Sequence, residues 1–290
     1  MFIYYLLIIL SVVMFGGCFA LNDEYRKRRG SGFKASIEAT CIGAIAGLLV
    51  LLIVNGLRFE FTWFTLAMGV ISAFVGIGFT FCSFKALDVI NLSLFSLFSM
   101  LGGMALPFAQ GILFYGEQIM VAKIVCVVLI VVALLLTVSK GEKKRGTFFY
   151  IGIFILNGAS GVLAKIFTEA SLEKTSSAGY SIWIAICTVV ISGIIWFILE
   201  RKSKKENGKL EIKAISVAAV NGSLNRVANF LLVLALAHVD ASVQYPMVTG
   251  GVMIVSTAIC FFGKNKPSKK ELLSVAFAFL GMLALFVIPV

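Results

Sequence analysis

Apolar residues run along this chain in long unbroken stretches, with polar positions gathered between them. Ten stretches can be marked, at 1–21, 35–55, 61–84, 89–115, 119–139, 147–168, 179–199, 214–237, 241–263 and 271–290. Most approach the roughly 20 residues that a helix needs to cross a hydrocarbon core of about 30 Å. A membrane barrel would instead show alternating segments of about ten residues. Only helices and closed barrels satisfy their backbone groups in lipid, so the pattern predicts an all-α integral membrane protein with ten transmembrane helices. The first stretch begins at Met1 without a basic segment ahead of it, and its basic cluster follows it. That order reads as helix 1 rather than as a cleaved leader.

Composition agrees and removes some alternatives. Apolar residues make up 60% of the 290 and charged residues 13%, about half the charged fraction of a soluble domain. Cys18, Cys41, Cys82, Cys126, Cys187 and Cys260 all fall inside apolar stretches. They lack metal-ligand spacing and read as small buried hydrophobes, so neither a metal nor a cofactor is expected. A net charge of +11 would suggest nucleic acid as partner of a soluble protein. Here the charge lies in short loops beside helices, where it sets orientation and meets anionic lipid head groups. Membrane lipids are the expected partners and nucleic acid is not.

Of the 25 basic residues, 20 lie in odd-numbered connections, among them Arg26 to Arg29, Lys143 to Arg145, Lys204, Lys205, Lys264 and Lys266. The even-numbered connections hold Arg58, Lys123 and Lys174, while Lys165 and Arg226 lie within helices. The positive-inside rule places the odd loops in the cytoplasm and both termini outside, most simply in the plasma membrane.

The basic connection 140–146 divides the chain into 1–139 and 147–290, each with five stretches. The halves echo each other. An offset of 149 superposes Ser93 on Ser242, Gly102 on Gly251, Met104 on Met253 and Ala109 on Ala258, and an offset of 147 sets Glu117 over Lys264. With an odd number of helices per half, the second repeat enters the membrane from the opposite side, which gives an inverted pair.

Two segments carry a resemblance. Lys85-Ala-Leu-Asp-Val-Ile-Asn91 through Leu-Phe-Tyr-Gly-Glu117, and Leu-Ala-His-Val-Asp-Ala-Ser-Val-Gln-Tyr-Pro246 followed by Phe-Phe-Gly-Lys264-Asn-Lys-Pro-Ser268, resemble the drug/metabolite transporter superfamily, EamA-like branch. The resemblance implies a ten-helix carrier of metabolites, amino acids, sugars or drugs. The family pattern favours Glu where Lys264 stands, and its better-described members keep both termini cytoplasmic, opposite to the charge bias of this chain.

Polar residues at membrane depth must face protein or water. On a helical wheel Asn221, Asn225, Asn229, Gly222 and Arg226 form one continuous polar arc on helix 8. Helix 6 repeats this with Asn157, Gly161, Lys165 and Thr168, helix 9 with Ser242, Tyr245, Thr249 and Ser256, and helix 4 with Ser96, Ser99, Gly103 and Gln110. These four helices are expected around a central cavity, with Arg226, Asn225, Asn229, Asn221, Lys165, Asn157, Tyr245, Thr249, Ser96 and Gln110 as its substrate-binding candidates. Serine and threonine also glue helices together, and Lys165, near the end of helix 6, could snorkel to the interface. Glu38, one turn from Lys34, reads as half of an interfacial ion pair with it. Pro107 and Pro246, beside Gly102-Gly103 and Gly250-Gly251, mark bends that either move or merely shape packing.

These features fit a secondary transporter that moves a small polar or anionic metabolite, or an amino-acid-like solute. No P-loop run is present, so ATP hydrolysis within this chain is excluded. A proton-coupled multidrug exporter would want an embedded acid, and helix 1 has none before Asp23. An exporter of lipophilic cations and a lipid flippase stay as alternatives, as does a homodimeric assembly. An intramembrane enzyme would need a converging nucleophile and base, and the single histidine, His238, has only Asp240 beside it in a loop. No catalytic residue is expected.

Overall fold

A computed structural model of the protein describes residues 2–88, 92–137, 147–202, 211–262 and 269–288. Among the described residues every regular element is an α-helix: α1 (Phe2–Arg29), α2 (Phe33–Val54), α3 (Trp63–Leu87), α4 (Leu92–Tyr115), α5 (Val121–Thr137), α6 (Thr147–Glu169), α7 (Ser177–Lys202), α8 (Ile212–Leu236), α9 (Ala241–Phe262) and α10 (Lys269–Val287). Six of them, α1, α2, α3, α6, α7 and α8, are long and apolar enough to cross a membrane. The basic connection 140–146 lies outside the described residues.

Polarity is arranged inside out, as lipid demands. Leu113, Phe114, Phe148 and Ile212 stand on the surface, while Ser99, Thr188, Ser192, Lys165 and Gln244 are buried. A side chain at membrane depth that can hydrogen-bond needs a partner inside the protein, on its own helix as Ser192 has in the Thr188 carbonyl or on a neighbour as Asn157 has in Ser99. Helix α1 runs eight residues past its apolar stretch. Its charged end is held by pairs at helical spacing, Asp23 with Lys27 at 2.6 Å and Glu24 with Arg28 at 2.7 Å, and basic residues in a last turn complement the helix dipole.

Helix neighbours interlock across the two halves. α1 packs on α8 and α9, α2 on α7 and α8, α3 on α6 and α7, and α4 on α6 and α9, while α5 pairs with α10. Glycines let the backbones close in. A Cβ on Gly43 of α2 would lie 3.0 Å from the Cα of Gly222 in α8, and one on Gly158 of α6 would lie 2.6 Å from the carbonyl of Gly102 in α4. Such small-residue crossings substitute for the missing hydrophobic drive between helices in lipid. The largest buried apolar cluster joins Ile8 and Val12 of α1 with Phe95 and Met104 of α4, Ile130 of α5, Ile153 of α6 and Val252 of α9.

Both ends of the bundle are tied by ions. At one end Arg26 meets Asp88 at 3.0 Å, and Lys34 meets Glu200 at 2.7 Å. The pairing of Glu38 with Lys34 expected from spacing does not form. Glu38 is buried against Arg29 at 2.9 Å instead, because the α1–α2 turn brings the end of α1 over the start of α2 while Lys34 reaches across to α7. At the other end Lys123 reaches Asp240 at 3.1 Å, and Glu60 accepts from the Ser176 amide at 2.6 Å at the head of α7. Both prolines sit inside unbroken helices, Pro107 in α4 and Pro246 in α9.

Candidate functional site

A cavity of about 260 Å³ lies within the bundle, and α1, α2, α3, α4, α6, α7, α8 and α9 all contribute to its wall. Seven of the ten residues expected around a central cavity line it: Arg226, Asn225, Asn229, Asn221, Asn157, Tyr245 and Thr249. Helix α8 supplies four of them, because positions spaced by four or five residues share one broad helical face.

Among the described residues Arg226 is the single ionised side chain of that wall. Its Nη2 donates to Thr188 Oγ1 of α7 at 2.8 Å, and the Thr188 hydroxyl in turn donates to the Ile184 carbonyl at 2.6 Å. The arginine stem lies against Gly47 of α2, where a Cβ would come within 2.5 Å of Arg226 Cγ. A glycine at 47 therefore makes the room in which the guanidinium bends toward α7. Among the described residues no carboxylate pairs with Arg226.

The amides also bind one another. Asn229 Nδ2 donates to the Asn225 carbonyl at 2.8 Å and to Asn225 Oδ1 at 3.1 Å, and Asn221 Nδ2 donates to Asn22 Oδ1 of α1 at 2.8 Å. Asn157 Nδ2 donates to the Ser99 carbonyl at 2.6 Å, joining α6 to α4, and Tyr245 Oη donates to the Gly161 carbonyl at 3.0 Å, joining α9 to α6. Thr249 Oγ1 points to the Met100 carbonyl at 3.4 Å. Asn221, Asn157, Tyr245 and Thr249 are thus cavity wall and helix tether at once, while the Asn225–Asn229 pair stays within α8.

The other three candidates stand elsewhere. Lys165 is buried beside the cavity rather than on its wall, with Nζ 3.0 Å from Glu117 and 2.9 Å from Glu169. Gln110 is buried off the cavity, and its Oε1 accepts from no protein group among the described residues. The side chain of Ser96 lies outside the described residues.

Three functional positions were not singled out on the helical wheels. Thr188 falls with Ser177, Ser181 and Ser192 on one face of α7 spanning about 60°, but nothing in that spacing signals that Arg226 reaches it. Gln244 lines the cavity from the first turn of α9, one position before Tyr245. Glu117 sits in a loop by sequence, yet Gly116, with φ +64, turns the chain so that the Glu117 amide returns to the Gly111 carbonyl at 3.1 Å. Its carboxylate then accepts from the Ala241 and Ser242 amides at 3.0 and 2.9 Å and meets Lys165. Burial alone would raise this carboxyl, but hydrogen bonds from Ser242 and the Lys165 ammonium outweigh burial and hold it below the usual carboxylate range.

Neither a family model nor a curated protein matches the sequence. The fold does have counterparts. A solved structure, described simply as the crystal structure of a protein, superposes with a TM-score of 0.72 over 97% of this chain and 96% of its own, at 14% sequence identity. At that identity the likeness shows the fold alone.

Proposed function

We propose that the chain is a secondary transporter of the EamA-like branch of the drug/metabolite transporter superfamily. On this reading ten membrane helices form two inverted five-helix repeats, and small polar or anionic solutes pass by alternating access around the Arg226 cavity. The observation that carries it is the cavity itself, which holds a lone arginine and several amides inside a bundle of apolar helices and is walled by helices of both halves. Ionisable residues in such a place mark a substrate path.

Packing supports the repeat. Exchanging each helix for the one five places along turns the α1–α8 contact into α3–α6, α1–α9 into α4–α6, and α2–α8 into α3–α7, and all six contacts are present. The match extends to residues. Gly102 packs on Phe154 and Gly251 on Val12, while Gly158 packs on Leu106 and Gly16 on Val255; both comparisons use the same offsets, 149 from α4 to α9 and 142 from α1 to α6. The first of these is the offset found in the sequence alone. Two halves related in this way can exchange conformations around one central site.

The charge of the cavity disfavours the export of lipophilic cations, since the only ionised wall residue among the described residues is positive. The basic odd-numbered loops would face the cytoplasm of a cell membrane. Saturable uptake or counterflow into proteoliposomes tests the reading. Purified, folded protein that moves no anionic, neutral or cationic solute above passive leak would end it.

A further inference from the structure

The balance of charge in the cavity narrows what can occupy it. Of the buried lysines among the described residues, Lys165 is committed to Glu117 and Glu169 and Lys123 to Asp240, and neither lines the wall. Arg226 therefore faces the cavity without a second charge of either sign among the described wall residues. Arginine keeps its proton in proteins and carries five N–H donors in a planar fork. One donor goes to Thr188 Oγ1, whose single proton is already given to Ile184, so the threonine acts as a fixed acceptor. It steadies one arm of the fork and leaves the remaining donors without a protein acceptor among the described residues. Next along α8, Asn225 receives Asn229 through its two oxygens, and its own amide nitrogen donates to no protein group among the described residues.

We infer that the cavity binds a polar monocarboxylate, with the single carboxylate on the Arg226 guanidinium and the hydroxyl or amide groups of the solute among Asn225, Asn229 and Asn157. The inference rests on the transporter reading above and adds the chemical class of solute. A planar carboxylate matches the arginine fork in two parallel hydrogen bonds. One negative charge cancels the one positive charge. A dicarboxylate or a phosphomonoester would leave a second negative charge in a space with no second cation, and a cation would set like charges together in a low dielectric. An uncharged solute would leave the guanidinium desolvated and unanswered, which is the costly state of a buried charge. The volume, about 260 Å³, falls just below the range of about 300–1,000 Å³ usual for ligand pockets, which suits one small acid rather than a lipid.

The test uses the full-length protein with six probes: L-lactate and D-gluconate as monocarboxylates, lactamide as the uncharged twin of lactate, succinate, glycerol 3-phosphate and tetraphenylphosphonium. Thermal unfolding in detergent gives relative affinity, and uptake into proteoliposomes gives transport. At least one monocarboxylate is expected to stabilise and to be taken up, with lactamide, succinate and glycerol 3-phosphate at least about tenfold weaker. Arg226→Gln is expected to weaken the monocarboxylate by about 10- to 150-fold, as the loss of a charged hydrogen bond does. Arg226→Lys should fall between, since an ammonium keeps the charge and loses the fork. Where the variants fail to fold, the comparison of lactate with lactamide on the wild-type protein decides alone. An equal, measurable response to lactate and lactamide, preference for succinate or tetraphenylphosphonium over both monocarboxylates, or an unchanged response in folded Arg226→Gln would overturn the monocarboxylate site while transport itself stands. Failure of all six probes to move would overturn both.

Discussion

Replacing Lys165 by methionine removes a cation whose side chain is 5% exposed and whose partner Glu117 is 6% exposed. Charges 3.0 Å apart attract by about 5 kcal/mol at an effective dielectric near 20, and desolvation of both groups offsets much of that. Breaking such a pair from one side typically costs about 3–5 kcal/mol, because the other charge stays buried. The lower figure applies here. Glu117 keeps the amides of Ala241 and Ser242, and Glu169, 40% exposed, can return to water. Glu117→Gln should cost about 2 kcal/mol, since one of those amides then faces an NH₂ group in place of a carboxylate oxygen. Once Lys165 is gone, removing the Glu117 charge relieves the orphan left behind. The double variant should therefore cost about 3 kcal/mol rather than about 5, a coupling near 2 kcal/mol. Equilibrium unfolding in mixed micelles across the four proteins measures it. A coupling under about 0.5 kcal/mol would mean that the pair contributes little and that Glu117 acts only as a cap on α9.

The same carboxylate sets a pH dependence. Its folded pKa is depressed, so its contribution is fully present above the unfolded value near 4.3 and is lost as pH falls through the lower folded value; stability should hold from about pH 7 to 5 and drop below about 4, and Glu117→Gln should shallow that drop. Gly222→Ala would drive a Cβ onto the Gly43 backbone and should cost at least about 2 kcal/mol of stability, whereas Gly17→Ala, with no atom within 4 Å, should be neutral or slightly stabilising. Glu173→Cys, in the α6–α7 connection, should react with a membrane-impermeant maleimide added to intact cells, whereas Gly32→Cys, in the α1–α2 turn, should react only after the cells are permeabilised. The reverse labelling would invert the proposed orientation.

Much of this architecture was readable before any coordinates, because in lipid the sequence must announce each span. Each apolar stretch holds a helix, six of them long and apolar enough among the described residues to cross a membrane, and the arc of asparagines on helix 8 lines the cavity. What a helical wheel reports is a face, not the neighbour that the face meets. Glu38 therefore found Arg29 rather than Lys34, and Lys165 found Glu117, a residue that sequence leaves in a loop until the left-handed turn at Gly116 folds it inward. Gln110 shares a face with Ser99 yet lies off the cavity, since the two are 11 residues apart along α4 and a pocket need not follow a stripe for three turns. Thr188 was illegible for a related reason. It shares its face of α7 with Ser181 and Ser192, and only its distance to Arg226 sets it apart from them.

The offset that relates α1 to α6 also aligns Asp23 with Lys165 and Lys27 with Glu169, so the i,i+4 ion pair of one half recurs in the other with its signs exchanged. In the sequence Glu117 is likewise matched by Lys264. On the repeat reading, two copies of the first half would set Asp23 against Glu117, and two copies of the second would set Lys165 against Lys264. On that reading each half would repel its own kind and suit the other. A chain cut within 140–146 and expressed as two separately tagged pieces should therefore sort into mixed pairs, so that partner choice is written into the halves themselves and the linker only keeps them together.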